Sequence, residues 1–366
     1  MKSAKPIRVL IAAGGTGGHL FPGIAVAERF QRFHPDLEVH FVGTTRGLES
    51  KVLPKLAWPL HLIKAPSLKD RRGIKKLGVF FQLPAAFSQA LKLLLSLRPK
   101  VVLGVGGYAS GPVILTAFFL RIPILLLEPN AIPGMTNRIL ARFAKRIFAA
   151  FPEIMQYFPA HKVQLTGNAV REHFFKVQEK KLNPEKIVIF CFGGSQGART
   201  LNRALLEAAE LFGSMKNKIR IIHQVGRQEN LRMIEKSYEA AGVSAEVFAF
   251  IEDMKTCYEL ADVVIARAGA TSIAELVAAC KPAILVPYPF AADDHQRANA
   301  ESVVKSGGAL MFRDEAFTAD RLVAELKQLV AEPWRLEKMA ASLKQLQKGD
   351  AAKTMMEECL RFAKKD

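Results

Sequence analysis

Glycines gather at four places in the chain where a short apolar run gives way to a helical pattern. These are Gly14-Gly15-Thr16-Gly17-Gly18, Gly104-Val105-Gly106-Gly107, Gly193-Gly194-Ser195-Gln196-Gly197, and Arg267-Ala268-Gly269-Ala270-Thr271-Ser272 leading into Glu275. A glycine loop at such a junction lets the backbone approach a phosphate and presents N–H groups at the positive end of the helix dipole. The same loop also serves as a plain tight turn, with glycine chosen for its backbone freedom. None of the four matches G-x-x-x-x-G-K-[ST], which disfavours a P-loop nucleotide hydrolase. The second satisfies G-x-G-x-x-[GA] from Gly104 to Ala109, with Glu128 about 20 residues further on, a formal but mid-domain dinucleotide fingerprint.

His19 stands directly after the first cluster, at the start of a helix. A positive helix end favours the neutral imidazole, which is the form a general base needs. A histidine there can equally cap or pack. A second polar group, Asp293-Asp294-His295-Gln296-Arg297-Ala298-Asn299, follows an apolar run and the turn residues Pro287 and Pro289. That places it at the C-terminal edge of a sheet, where open α/β sheets bind ligands. No carboxylate cluster asks for Mg²⁺, and the four cysteines show neither C-x-x-C pairing nor a nearby histidine at ligand spacing. No metal, no cofactor and no disulfide framework is expected, and a reducing cytosol is the simplest compartment.

The elements that must hold these loops are legible as short Val/Ile/Leu-rich runs between longer helical patterns. They fall at 8–12, 39–43, 60–63, 101–104, 124–127, 146–149 and 163–166, then again at 187–192, 219–225, 247–250, 263–266, 283–286 and 309–312. Such alternation predicts βαβ units and parallel sheets. Between the two series lies a polar stretch, Arg171 to Glu185, and the restart at Lys186–Ala198 repeats the strand, glycine loop and helix order of Arg8–His19. Two similar nucleotide-binding halves are implied, spanning 1–168 and 169–350. The last segment, Ala351 to Lys364, carries Met355, Cys359, Leu360 and Phe362 on one helical face. That face would fit either half; we assign the helix 351–366 to the first.

A length of 366 residues suits two domains, and a half-hydrophobic composition with 23% charged residues is that of a globular chain. With 52 Lys and Arg against 34 Asp and Glu, the formal charge of +18 suits an extended anionic partner such as nucleic acid, lipid headgroups or phosphorylated substrates. The N-terminal apolar run, interrupted by Arg8 and ending in glycines, reads as a buried strand rather than a signal peptide. The longest uncharged apolar stretch, Pro112 to Leu120, falls short of the roughly 20 residues of a membrane span. Membrane contact would therefore be peripheral. The segment from Lys69 to Leu97 fits it: Lys69, Arg71, Arg72, Lys75 and Lys76 precede Phe80, Leu83, Phe87, Leu91 and Leu94 at helical spacing.

Seven motifs, in order, carry a family resemblance: IAAGGTGGHLFPGIAVA at 11–27, VLGVGGYASGP at 102–112, TGNAVR at 166–171, GGSQGARTLN at 193–202, FIEDM at 250–254, ARAGATSIAEL at 266–276 and DHQRANA at 294–300. Together they resemble the MurG family, transferases that add N-acetylglucosamine to undecaprenyl-pyrophosphoryl-muramoyl pentapeptide, lipid I. The resemblance implies a GT-B fold, α/β with two Rossmann-like domains facing across a cleft. It also implies an inverting transfer from UDP-GlcNAc to the muramoyl C4 hydroxyl that yields lipid II. The work would be done peripherally on the cytoplasmic face of the bacterial inner membrane. Anionic lipid and proteins of cell-wall synthesis and division are the expected partners; nucleic acid is not.

By motif, the resemblance implies that Thr16, Gly17, Gly18, His19, Tyr108 and Asn130 line the acceptor side, and that Arg171, Ser195, Gln196 and Asn202 face the donor. It gives Ile251 a backbone contact to uracil. The loop of Gly269, Ala270, Thr271 and Ser272 would hold the diphosphate and Glu275 the ribose, while His295, Gln296 and Asn299 would meet the sugar; Arg267 would be a further substrate-binding residue. Two positions depart from the family pattern. Leu127-Glu128-Pro129-Asn130 replaces the usual His-Glu-Gln-Asn, which leaves His19 as the base with Glu128 second, and Ala169 replaces a proline. The rival readings are another enzyme of the same fold, a UDP-sugar 2-epimerase or a glycolipid glycosyltransferase, and a non-catalytic UDP-sugar-binding membrane scaffold.

Overall fold

The computed structural model describes residues 6–65, 77–178, 182–183, 186–194 and 197–364, with backbone alone for 77–82. Ser195, Gln196 and the basic cluster Lys69 to Lys76 lie outside the described residues. The chain divides into two compact units, one of residues 1–171 and 348–366 and the other of 172–347.

The first unit carries β1 (Arg8–Ala13), β2 (Glu38–Gly43), β3 (Leu60–Leu62), β4 (Val101–Gly106), β5 (Ile124–Glu128), β6 (Arg146–Ala149) and β7 (Val163–Leu165). All pair in parallel, in the order β3-β2-β1-β4-β5-β6-β7. Strands covered on both faces read as unbroken apolar runs, and β4 is buried at every position. On one face pack the helix Gly17–Phe33 and the C-terminal helix Ala351–Ala363, whose Met355, Met356, Cys359 and Leu360 enter the same core as Val9, Ile11 and Val105. The other face takes the helices Leu77–Leu97 and Ser110–Phe119, through Ala90, Leu94, Val113 and Ile114.

The second unit repeats the plan. β8 (Ile187–Phe192), β9 (Ile219–Gln224), β10 (Ser244–Phe248), β11 (Val263–Ala266), β12 (Ala283–Leu285) and β13 (Ala309–Met311) pair in parallel in the order β10-β9-β8-β11-β12-β13. Ile187, Ile189 and Cys191 of β8 point to one layer, among Leu201, Leu205, Leu322 and Leu326 of the helices Arg199–Leu211 and Ala319–Ala331. Phe190 and Phe192 point to the other, against Tyr258 of the helix Met254–Leu260.

Each sheet reverses its strand order at one place, between β1 and β4 in the first unit and between β8 and β11 in the second. The carboxyl ends of strands at such a reversal form the ligand crevice of open α/β sheets. All four glycine loops lie there. One strand is displaced from its expected position: β10 spans Ser244–Phe248 rather than 247–250. It is an edge strand with alternating exposure, so its pairing with β9, not an apolar run, defines it.

Candidate active site

In the first unit the β1 chain passes through Gly14 and Gly15, the latter at φ +87°, and enters the helix at Thr16. The Gly15 N–H does not face an open phosphate site. It donates to the buried Glu49 carboxylate at 2.8 Å. His19 lies in the first helical turn, its amide bonded to the Thr16 carbonyl. Its half-buried ring lies against Gly106, where a Cβ would come within 2.6 Å of the imidazole, and Gly106 sits at φ +120°. The pairing of β1 with β4 shifts by a residue at this point, so that Ala13 lies opposite Gly106. The buried Ser110 hydroxyl lies 2.8 Å from the Gly106 carbonyl and 3.1 Å from that of Ala12, tying the two strand ends together. Gly107 packs so closely on the Gly14 carbonyl that a Cβ would lie 2.3 Å from it. The first two loops thus form one backbone assembly that seats His19; Thr16, Gly17 and Gly18 belong to the first loop and Tyr108 follows Gly107 of the second.

Glu128, the second base expected from sequence, is turned inward. Only 1% of it is exposed, and its carboxylate accepts from the Asn130 N–H at 3.0 Å, the Asn130 side chain at 3.3 Å, the Gly134 N–H at 3.2 Å and the Asn137 side chain at 2.9 Å. Burial pushes its pKa up to about 7, against the lowering pull of these donors. Its geometry is that of a brace for Asn130 and the loop to Gly134. Arg171, the last residue of the first unit, pairs with Glu28 at 3.3 Å.

In the second unit Gly194 and Gly197 take φ +85° and +76°, and a Cβ on Gly197 would come within 2.1 Å of the Val225 carbonyl. That carbonyl accepts from Asn202 Nδ2 at 2.9 Å. Asn202 Oδ1 in turn accepts from His223 Nε2 at 3.2 Å, and His223 Nδ1 accepts from the Tyr238 hydroxyl at 2.8 Å. Burial pushes the His223 pKa down to about 3, which keeps the ring neutral and this relay intact. Asn202, expected to face the donor, is buried, and these contacts make it a positioning group for the third loop. Gln224 bridges two expected donor elements: Nε2 donates to the Gly194 carbonyl at 3.1 Å, and Oε1 accepts from the Ile251 N–H at 2.8 Å.

The fourth loop opens the helix Ala270–Ala279, whose first turn holds Ala270, Thr271 and Ser272, with Gly269 as an N-cap that has no side chain to offer. Arg267, expected among the substrate-binding residues, ion-pairs with Asp314 and donates to the Val286 and Pro287 carbonyls at 3.2 and 3.3 Å. Asn299 is fully buried and donates to the Ala268 carbonyl at 3.2 Å, so it also supports the loop from behind. Glu275, one turn into the helix, accepts from the Tyr258 hydroxyl at 3.1 Å. His295 Nδ1 donates to the Ala292 carbonyl at 2.6 Å, and the Gln296 side chain accepts from the Tyr288 N–H at 3.0 Å. Among the described residues no group of three or more His, Cys, Asp or Glu could hold a metal ion.

Comparison with known proteins gives the family. The Glycosyltransferase family 28 N-terminal domain matches residues 9–149, and the Glycosyltransferase family 28 C-terminal domain matches 188–355. The chain is 43% identical over 358 residues to the UDP-N-acetylglucosamine--N-acetylmuramyl-(pentapeptide) pyrophosphoryl-undecaprenol N-acetylglucosamine transferase of Myxococcus xanthus, covering 97% of this chain and 92% of that protein. The enzyme of the same name from Citrifermentans bemidjiense is likewise 43% identical, over 96% of this chain and 98% of its own. A crystal structure of Acinetobacter baumannii MurG superposes with a TM-score of 0.79 at 30% identity, covering 97% of this chain and all of that one. A UDP-N-acetylglucosamine 2-epimerase, at 14% identity and a TM-score of 0.67, shares the fold. With two parallel-sheet units of the GT-B fold and near full-length identity to these transferases, the chain belongs to the MurG family of glycosyltransferases.

Proposed function

We propose that the chain transfers N-acetylglucosamine from UDP-GlcNAc to the C4 hydroxyl of the muramoyl residue of undecaprenyl-pyrophosphoryl-muramoyl pentapeptide, converting lipid I to lipid II with inversion at the anomeric carbon. The observation that carries this reading is the near full-length identity to enzymes named for that reaction. His19, braced by the first two glycine loops, takes the proton from the attacking hydroxyl as UDP departs from the opposite face of the sugar. A positioned base contributes about 10²–10⁴-fold. The helix turn at Ala270, Thr271 and Ser272, with glycine as its N-cap, faces the diphosphate, whose charge grows as the bond breaks, and preorganised N–H groups stabilise such charge. Glu275 accepts from the ribose hydroxyls, and the Ile251 backbone meets the uracil. Ser195, Gln196, His295 and Gln296 complete the donor contacts, and Arg171 assists at the diphosphate. Thr16, Tyr108 and Asn130 hold the acceptor.

The acceptor is a membrane lipid, so the first unit works at the cytoplasmic face of the inner membrane. No helix among the described residues is long and apolar enough to cross a membrane. Support for docking comes from apolar side chains in water: Phe118 and Phe119 end one helix, and Met135 and Ile139 lie on the helix Met135–Leu140 packed beside it. Arg121, Arg138 and Arg142 lie in the same stretch. Leu94, expected on the docking face, belongs to the core, whereas Leu91 and Leu95 of that helix are exposed.

The test is direct: incubate the protein with UDP-GlcNAc and a short-chain lipid I analogue, and identify the product by mass and linkage. A β-1,4-linked disaccharide lipid is expected. Conversion of UDP-GlcNAc to its 2-epimer without acceptor would overturn the reading in favour of the epimerase activity known from the same fold.

A further inference from the structure

Tyr258 is fully buried, so it cannot itself touch a bound nucleotide. Its ring is walled edge-on by Phe174 at 5.7 Å, Phe190 at 5.7 Å and Phe192 at 6.3 Å between centroids. A ring so enclosed holds one rotamer, and its hydroxyl therefore emerges at one point. There it meets Glu275 Oε2 at 3.1 Å. The two residues come from different helices, Met254–Leu260 and Ala270–Ala279, so the contact is built by the fold and not by sequence proximity. Burial and the neighbouring carboxylate raise the phenol's pKa well above its ordinary value, so the hydroxyl stays a donor throughout the working pH range.

We propose that Tyr258 is a positioning residue that fixes the Glu275 carboxylate for the nucleotide ribose, and so sets how strongly the enzyme discriminates a ribonucleotide from a 2′-deoxyribonucleotide donor. This rests on the reading of Glu275 as the ribose ligand. A glutamate has three side-chain torsions to order on binding. The phenol removes much of that freedom before the nucleotide arrives, and preorganisation of this kind raises affinity without adding a contact. A buried tyrosine among phenylalanines could be a packing residue alone, but packing does not require a hydroxyl, and this one is aimed at a carboxylate of the site.

The experiment compares UDP and 2′-deoxy-UDP binding by calorimetry in the parent protein, Tyr258→Phe and Glu275→Ala, alongside steady-state kinetics and melting temperatures. The phenylalanine keeps the ring and removes only the donor. The parent should prefer UDP, and Glu275→Ala should abolish the preference. Tyr258→Phe should weaken UDP by roughly 3–10-fold, the scale of one ordinary net hydrogen bond, while leaving 2′-deoxy-UDP within about twofold. KM for UDP-GlcNAc should rise by the same factor with kcat unchanged. A Tyr258→Phe variant that keeps the parent's UDP to 2′-deoxy-UDP ratio overturns the proposal, whether both affinities stand or fall together. Equal binding of the two nucleotides by the parent overturns the ribose assignment of Glu275 and this proposal with it.

Discussion

The Glu49 carboxylate is the anion that the first glycine loop accommodates: Gly15 N–H donates to Glu49 Oε2 at 2.8 Å. The other oxygen accepts from Thr44 N–H at 2.7 Å and lies 3.1 Å from the Thr44 hydroxyl. Three glycines make room for this group, since a Cβ on Gly14, Gly43 or Gly47 would come within 2.4, 2.4 and 1.9 Å of Glu49 side-chain atoms. The loop that seats His19 is thereby tied to the end of β2. Glu49→Gln should put an amide donor where N–H groups converge, costing about 1–3 kcal/mol for the mismatched buried group. We expect kcat to fall while KM for UDP-GlcNAc holds, because the donor loops belong to the other unit. Denaturant titration with steady-state kinetics checks this. Lower stability with full kcat would mean that the loop holds its shape without Glu49.

His19→Ala should lower kcat by about 10²–10⁴ with UDP still bound normally. Gly106→Ala makes a second, geometric test of the same assignment. Its methyl would press on the imidazole at 2.6 Å and its backbone would be held at φ +120°. The two variants should therefore lose activity alike. A Gly106→Ala enzyme that folds and keeps its kcat would detach the catalytic base from this seat.

The glycine loops and the parallel strands were legible because their signals are local: glycines at a strand end, and apolar runs buried on both faces. The supports behind the loops were not. Glu49, Tyr258, Gln224 and His223 act through partners 34, 17, 27 and 21 positions away. One signal was on view, the polar pair His223-Gln224 that follows Ile221-Ile222 at the end of β9, since polar side chains in a buried run need partners. Asn202, Asn299 and Arg267 mark the opposite difficulty. Their motifs place them beside the site, but a motif does not say which way a side chain points, and the structure turns all three toward backbone carbonyls.

Glu128 gives a pH signature. Its folded pKa of about 7 lies above the ordinary carboxylate value of 4.5, so the folded state holds its proton more tightly than the unfolded chain. The associated stability is fully present below about pH 4.5 and is lost as the pH rises to about 7. Its ceiling is about 3 kcal/mol, at 1.36 kcal/mol per tenfold change in proton affinity. We expect the stability difference between the parent and Glu128→Gln to change by up to this amount between pH 4.5 and 8, and to flatten above. Urea titrations across that range test it. A difference independent of pH would make Glu128 an ordinary carboxylate.

The exposed aromatic end of the helix Ser110–Phe119 leads to the last prediction. Phe119 is 78% exposed and Met135 67%, and they belong to helices that pack side by side. Single exposed apolar residues are common on protein surfaces, but Phe118, Phe119, Met135 and Ile139 lie on two adjoining helices, and grouped apolar surface marks a contact site. Arginines in the same stretch suit it to anionic headgroups, at about 1 kcal/mol per charge near the surface. Inserting one phenylalanine adds up to about 1.5–3 kcal/mol. Phe119→Ser with Met135→Ser should therefore lower affinity for phosphatidylglycerol vesicles at least tenfold while leaving UDP affinity unchanged. Salt should weaken the residual, charge-driven binding further. Vesicle sedimentation at low and high salt separates the two contributions, and undiminished binding of the double variant would move the docking surface away from these helices.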